Sequence, residues 1–243
     1  APTVFAMEAE KRNNLLGPWY GKPRGDVKKG FSEADLIVER TYKTQVQHHC
    51  CLETHGVVVD YRNDGVTIYA STQSTKNVRN EFAKAFELPA NKVRVICEFM
   101  GGGFGSKQQL ESSAVMAGHL SKKSGRPVSL MLDRKEEFLS AGNRSSSVQR
   151  LRIGARKDGT LTAVELHSRG SAGIDSNSGV GHVAKSLYRS PNFYSEHYSV
   201  LTNAGPSTPF RAPGNVQGCF AVEQLMDELA EKLKLDPLEL RDR

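Results

Sequence analysis

The residue types and spacing that admit chemistry are concentrated in 93-VRVICEFMGGGFGSKQ-108. There a β-branched run ends in Gly101, Gly102, Gly103, Phe104, Gly105 and Lys107. Glycine loses more backbone entropy on folding than any other residue, so such a cluster marks positive φ, close backbone approach, or both. A phosphate cradle, a loop laid against another cofactor and a tight structural crossing would each use it. A strand, a glycine turn and a helix beginning near Lys107 would point backbone N–H groups at anionic or oxyanionic atoms. The Walker pattern GxxxxGK[ST] fails twice, because Ser106 stands where a glycine belongs and Gln108 where a Ser or Thr belongs. The dinucleotide fingerprint also fails, since Gly101-x-Gly103 is followed by Ser106 and Gly103-x-Gly105 by Gln108. Spacing alone leaves the structural crossing and the non-nucleotide cofactor loop both open.

No side-chain metal site is expected. His48, His49 and His55 lack structural-zinc spacing with Cys50, Cys51, Cys97 and Cys219, and read as ordinary core or surface histidines. The cysteines form no CxxC, and adjacent Cys50 and Cys51 do not make a disulfide framework, which points to reduced core residues and a cytoplasmic setting. Glu98 and Glu111 lie near the glycine loop in sequence, but nothing in the spacing gives either a role.

The elements that position the loop follow from periodicity. Residues 35–47, 56–61 and 66–72 read as strands, the last two forming an antiparallel hairpin around 62-RNDG-65. A helix follows, capped by Ser74 or Thr75, with Val78, Phe82, Ala85 and Phe86 at helical spacing and Pro89 and Asn91 stopping it. Strand 93–99 enters the glycine loop. Residues 108–125 read as a helix with Leu110, Ala114, Ala117 and Leu120 on one apolar face, ended by Gly125, and 127–133 returns as a strand. Residues 148–170 form a second hairpin turning at Asp158-Gly159. A Gly/Ser-rich loop at 170–181, a strand at 196–203 and an irregular stretch at 205–215 precede a helix at 216–235. Phe220, Leu225, Met226, Leu229 and Leu233 give that helix its core face, and Asp236-Pro237 opens another.

The chain has 243 residues, enough for one large or two modest cores, and its 38% hydrophobic content with no membrane-length apolar run indicates a protein without a membrane span. Its net charge of +6 is dispersed among acidic residues and carries no nucleic-acid module, so a solvated surface or a more acidic protein partner explains it better. Three divisions are expected: residues 1–30 as a linker or surface segment, 31–145 as a first α/β subdomain, and 146–243 as a second subdomain, truncated at its end.

Three segments together carry a resemblance: 71-STQSTKNVRN-80, 101-GGGFGSK-107 and 208-TPFRAPGNVQG-218. With 31-FSEADLIVERTYKTQVQHHCCLETHG-56, 132-LDRKEEFLSAGNR-144 and 236-DPLELR-241, they resemble the molybdenum-binding subunit of the xanthine dehydrogenase and aldehyde oxidase family, colinearly along the chain. The motifs are a Thr-Gln strand end, the MGGGFGxK loop and an FRxxGxxQ loop. The resemblance implies an α+β fold of mixed β-sheets with flanking helices, the first half of the molybdopterin-binding region of a molybdenum hydroxylase. It also implies oxidation of an aldehyde or aromatic heterocycle with oxygen from water, on a molybdenum held by a molybdopterin rather than by side chains. Electrons would pass to iron–sulfur clusters and FAD on partner domains or subunits.

The same resemblance implies roles for individual residues. Gln73 would orient the metal's oxygen ligands as a neutral donor. Gly102, Gly103, Phe104 and Gly105 would cover the cofactor, with Phe104 shielding the site or touching substrate. Arg211 would offer a guanidinium near metal and pterin. Arg144 is either a substrate contact or a surface arginine. Gln108 and Pro213 stand where purine-oxidising members carry a glutamate and an aromatic ring, which favours aldehydes or another heterocycle over xanthine. The family's general base, a glutamate, lies beyond the last residue of this chain, so the C-terminal half of the subunit is an expected partner and the isolated chain is expected to be inactive. A catalytically silent scaffold of the same fold and a basic binding domain are the competing readings.

Overall fold

The structure, a computed structural model, describes residues 14–174, 178–180 and 183–242. In chain order the elements begin β1 (Leu15–Tyr20), α1 (Val27–Ser32), β2 (Leu36–Thr44), β3 (Gly56–Tyr61), β4 (Val66–Ala70), α2 (Thr75–Ala85), β5 (Val93–Ile96) and α3 (Ser112–Ser124). They continue β6 (Val128–Met131), α4 (Arg134–Ser140), β7 (Ser147–Ala155), β8 (Leu161–Gly173), α5 (Val183–Leu187), β9 (Asn192–Leu201), α6 (Asn215–Leu233) and α7 (Pro237–Asp242). Two sheets organise two compact units. A five-stranded sheet, ordered β1-β9-β8-β7-β2, belongs to the unit drawn from residues up to 47, 144–207 and 212 onward. A four-stranded sheet, ordered β5-β4-β3-β6, belongs to the unit made of 48–143 and 208–211.

In the five-stranded unit, β2 pairs with β7 residue for residue, from Leu36 opposite Ala155 to Thr44 opposite Ser147. Alternation along β7 sends Leu151, Ile153 and Ala155 inward, where they meet Val38, Leu166 and the α6 residues Leu225, Met226 and Leu229. The β7–β8 hairpin turns at the expected Asp158-Gly159, where Gly159 has φ +91° and Asp158 Oδ1 accepts the Thr160 N–H at 2.9 Å. β9 starts earlier than the sequence predicts and runs parallel to β8, with α5 in the connection. Residues 170–173 of the expected 170–181 loop are strand β8, and 175–177 and 181 lie outside the described residues.

The expected divisions differ from these units in three main places, one being 208–211, read with the second subdomain but part of the four-stranded unit. Residues 14–30, read as a linker, supply β1, which pairs with β9, and most of α1, which packs on β8 and β9; residues 1–13 lie outside the described residues. Residues 31–47, read with the first subdomain, join the five-stranded unit because β2 finds its partner in β7. Strand pairing between residues a hundred positions apart leaves no local trace in the sequence.

In the four-stranded unit, β3 and β4 form the expected hairpin and β5 returns parallel to β4 through α2. Ser74 caps α2, its Oγ accepting the Asn77 N–H at 3.3 Å. Val78, Phe82 and Phe86 are buried as the spacing predicts, but Ala85 is exposed and Ala83 takes its place. The next helix begins at Ser112, not near Lys107; residues 104–109 form turns instead. Ala114 and Ala117 of α3 are buried, whereas Leu120 stays 52% exposed because the close approach is made by Gly118, whose missing Cβ lets α3 sit on Phe82 and Phe86. Gly125 ends the helix at φ +66°. On α6 the correction is similar: Phe220 is half-exposed and meets Tyr42 edge to face, while the core face runs through Ala221, Val222, Leu225, Met226 and Leu229.

Candidate functional site

Within the four-stranded unit, three segments distant in sequence converge: the end of β4 at 71–73, the loop 101–107, and the short stretch 208–211. Gln73 is the brace. Its Oε1 accepts the Gly105 N–H at 2.7 Å and the Lys107 N–H at 3.3 Å, and its own backbone N–H donates to the Lys107 carbonyl at 2.7 Å. Because two backbone donors face Oε1, the carboxamide orientation is fixed, and its NH₂ group faces away from them. That NH₂ has no acceptor among the described residues. Gly103 has to be glycine here: a Cβ would sit 2.6 Å from Gln73 Oε1.

The loop turns through positive φ at Gly102 (+99°), Phe104 (+52°) and Gly105 (+112°). Phe104 is a bulky residue in the left-handed region, a conformation that surrounding structure has to hold. The Ser106 N–H and Oγ both donate to the Gly103 carbonyl, at 2.9 and 2.8 Å, closing the turn that presents Phe104 with 44% of its surface exposed. The N–H groups of Gly102, Gly103 and Phe104 have no acceptor among the described residues. Successive backbone donors of this kind form a ready anion-binding concavity.

Lys107 lies underneath, only 1% exposed, and its Nζ donates to the Ser71 hydroxyl at 2.7 Å and to the Glu53 carbonyl at 2.8 Å, with Glu53 Oε2 at 3.4 Å. It therefore ties the strand end to the loop and does not face outward. Glu53 Oε2 also accepts the Ser71 hydroxyl and the Gly101 N–H, both at 2.7 Å. Burial pushes the Glu53 carboxyl up, but these hydrogen bonds and the Lys107 ammonium outweigh it and hold the group below the usual carboxylate range.

The stretch 208–211 is fastened from two sides. The Arg211 N–H donates to the Phe104 carbonyl at 2.7 Å, and His49 Nε2 donates to the Pro209 carbonyl at 2.9 Å while its ring lies 4.4 Å from that of Phe210. Gly105 makes the close approach possible, since a Cβ there would stand 2.3 Å from the Pro209 oxygen. The fold thus brings Gln73, Gly102–Gly105 and the exposed Arg211 into one unit. Gln108 is exposed beside them, its carbonyl accepting the Asn77 side-chain amide at 3.2 Å.

Arg144 and Pro213 belong to the five-stranded unit. Arg144 is not a surface arginine: it is buried, and Nη1 donates to Gln217 Oε1 at 3.2 Å. Burial lowers its pKa. Gln217 in turn donates to the Ser145 carbonyl at 3.2 Å, and its backbone oxygen takes the Gln149 amide at 2.9 Å. This is the last residue of the FRxxGxxQ motif, and it holds Arg144 from the first turn of α6. Pro213 is exposed at the start of that helix.

Sequence reasoning left three side chains without a role. His49 anchors the 208–211 stretch. His55, fully buried, has Nδ1 2.9 Å from both Glu137 oxygens and Nε2 3.4 Å from Glu111 Oε1. Glu137 is aimed there by α4, whose start is fixed by a capping box between Asp133 and Glu136. The capping box is legible in 133-DRKE-136; the partnership of Glu137 with His55 is not. Among the described residues no group of three or more His, Cys, Asp or Glu is placed to hold a metal ion.

Residues 7–243 match the molybdopterin cofactor-binding domain family. The chain belongs to that family. It is 34% identical over 98% of its length to a probable hypoxanthine oxidase of Escherichia coli K12, of which it covers 25%. It is 37% identical over 89% to one subunit of a probable xanthine dehydrogenase from Bacillus subtilis and 33% over 89% to an aldehyde oxidoreductase molybdenum-binding subunit of Escherichia coli O157:H7, covering 30% of each. Among solved structures, quinoline 2-oxidoreductase from Pseudomonas putida 86 superposes with a TM-score of 0.88 over 94% of the chain at 27% identity, and the chain covers 30% of it. The aldehyde oxidoreductase from Desulfovibrio gigas superposes with a TM-score of 0.84 at 29% identity, 26% of it covered. The α+β fold is that of the molybdopterin-binding region of molybdenum hydroxylases, and the domain spans less than a third of these relatives. No described helix is long and apolar enough to cross a membrane.

Proposed function

We propose that this domain forms part of the cover of a molybdenum–molybdopterin cofactor in a cytoplasmic hydroxylase that oxidises an aldehyde or aromatic heterocycle with water-derived oxygen. The observation that carries the reading is a set of aimed, unpartnered donors. The Gln73 NH₂ and the N–H groups of Gly102, Gly103 and Phe104 belong to one braced assembly, and no acceptor among the described residues takes them. Donors held rigidly toward developing negative charge cost no reorganisation when the charge appears.

Bound molybdenum would supply the oxygen-transfer and two-electron redox chemistry. The work of this domain's own residues is positional. Gln73 orients oxygen ligands without adding charge, and the glycine backbone approaches closely because no Cβ intervenes. Phe104 excludes water and meets the substrate ring. Arg211 holds negative charge near the pterin, and Arg144 offers a second guanidinium whose direction Gln217 sets. Gln108 and Pro213 favour aldehydes or a heterocycle other than xanthine; relatives named for hypoxanthine, xanthine and aldehyde oxidation match at similar identity and do not separate the two classes. The rest of the subunit would supply the general base, and iron–sulfur and flavin partners would take the electrons.

Molybdenum analysis and pterin fluorescence on the native complex test the reading, followed by aldehyde and heterocycle oxidation in ¹⁸O-water. One metal and one pterin per complex with label in the product supports it. A complex lacking both favours a catalytically silent scaffold of the same fold.

A further inference from the structure

At the root of the glycine loop a buried histidine stands between two carboxyl groups. Glu137 Oε2 accepts the His55 backbone N–H at 2.7 Å, and both Glu137 oxygens lie 2.9 Å from His55 Nδ1; against an ionised Glu137 that Nδ1 carries a proton. On the other side of the ring, Nε2 faces the Ser106 carbonyl and Glu111 Oε1, each at 3.4 Å. A carbonyl oxygen can only accept. With Nδ1 protonated and Glu111 ionised, a neutral, fully buried ring would aim its Nε2 lone pair at the Ser106 carbonyl and the partly buried Glu111 carboxylate, which is unfavourable. One more proton therefore sits between His55 and Glu111, on either partner. In both placements His55, Glu137 and Glu111 together carry one net negative charge, which the Lys107 ammonium faces; Glu53 lies beyond Lys107.

We propose that His55 and Glu111 are positioning residues: the proton they share joins the two side chains beneath the Ser106 carbonyl, and Ser106 holds the turn that presents Phe104 and the free N–H groups of Gly102–Phe104. The link from Ser106 to the turn is the pair of hydrogen bonds from its N–H and Oγ to the Gly103 carbonyl. Loss of the proton sets like partial charges against each other at the loop's root and loosens it. Burial, reinforced by Glu137 and opposed by His55 and Lys107, pushes the Glu111 carboxyl up, the direction that retains the proton. A group that binds a proton more tightly when folded stabilises at low pH and releases that stability as pH rises through its folded value. The consequence for the cofactor rests on the reading of this loop as its cover; the positioning of the loop does not.

Amide hydrogen exchange on the full chain, resolved at Gly105, Ser106 and Lys107, tests the positioning. In the native protein these amides are expected to exchange faster with rising pH by roughly tenfold beyond the base-catalysed rise shared by all amides. Glu111→Gln keeps a donor toward Nε2 that does not titrate, so the excess is expected to vanish while the loop stays protected. Glu111→Leu leaves the ring without its partner, and loosening is expected to begin at lower pH than in the native protein. An alkaline excess unchanged in Glu111→Gln, or protection in Glu111→Leu equal to native at every pH, overturns the proposal. Pterin content of the native complex carrying Glu111→Leu is the second arm. Loop amides that respond while pterin is fully retained uphold the positioning role and refute the loop as cofactor cover. Unresponsive amides refute the positioning role whatever the pterin content.

Discussion

One buried histidine from each unit, His197 and His55, shows two opposite ways of satisfying a ring. In the five-stranded unit, His197 has Nε2 2.8 Å from the Ser178 hydroxyl and Nδ1 3.0 Å from that of Ser168, and Ser178 bonds onward to Ser199 at 3.1 Å. Hydroxyls donate or accept as required, so that network accommodates either tautomer without charge. In the four-stranded unit, His55 stands between two carboxylates, and its satisfaction depends on where protons lie. The first set of contacts works with a proton on either ring nitrogen. The second ties the shape of the loop above it to a proton, in the unit whose donors point outward.

Removing Glu137 is the severest way to test that contrast. Glu137→Leu strands both the His55 Nδ1–H and its backbone N–H in a buried site, an expected loss of roughly 3–5 kcal/mol by denaturant unfolding. Ser178→Ala, which removes one neutral partner from His197, is expected to cost roughly 1–3 kcal/mol. Equal losses would break the distinction between charged and neutral networks.

Glycines separate the units by function. A Cβ at Gly173, φ +71°, would stand 2.1 Å from the Gly205 oxygen, and one at Gly105, φ +112°, 2.3 Å from the Pro209 oxygen. Both alanine variants are expected to lose roughly 1–3 kcal/mol of stability. Gly105→Ala alone is expected to strip pterin from the native complex. Gly125→Ala meets nothing within 4 Å at φ +66°, and calorimetry is expected to show only about 1 kcal/mol of conformational strain.

Acid sharpens the comparison further. The depressed Glu53 carboxyl contributes stability that is present above its ordinary value of 4.5 and lost as pH falls through its lower folded value. Thermal unfolding of Glu53→Gln is therefore expected to lie below native at pH 7 and to converge with it as pH falls through the lowered folded value. A separation that does not narrow in acid would remove Glu53 from the loop's electrostatics. The smallest effect is expected from Leu120→Ser on the exposed side of α3, within about 0.5 kcal/mol; a larger loss would return Leu120 to the core.

What the sequence determined by itself was local or repeated: the hairpins, the α2 cap, the Gly125 stop, the β7 alternation, and the glycine-loop, Thr-Gln and FRxxG motifs that mark the family. These signals survive without tertiary contacts because turn chemistry and periodicity act over a few residues. Tertiary structure alone decided the rest. Residues 14–30 read as linker because the pairing of β1 with β9 is non-local, and β2 changed units for the same reason. Leu120 and Phe220 fit an apolar spacing but lost their core places to Gly118 and Ala221, since closeness of approach, not hydrophobicity, selects which face of a helix is buried. The Gln73 side chain could be named from its motif, but that its oxygen is consumed by Gly105 and Lys107, leaving only its amide donors, is a matter of distances. His55, Glu111 and Glu137 are ordinary letters until three segments fold around one buried ring, where a low dielectric makes the protons at that ring part of the structure.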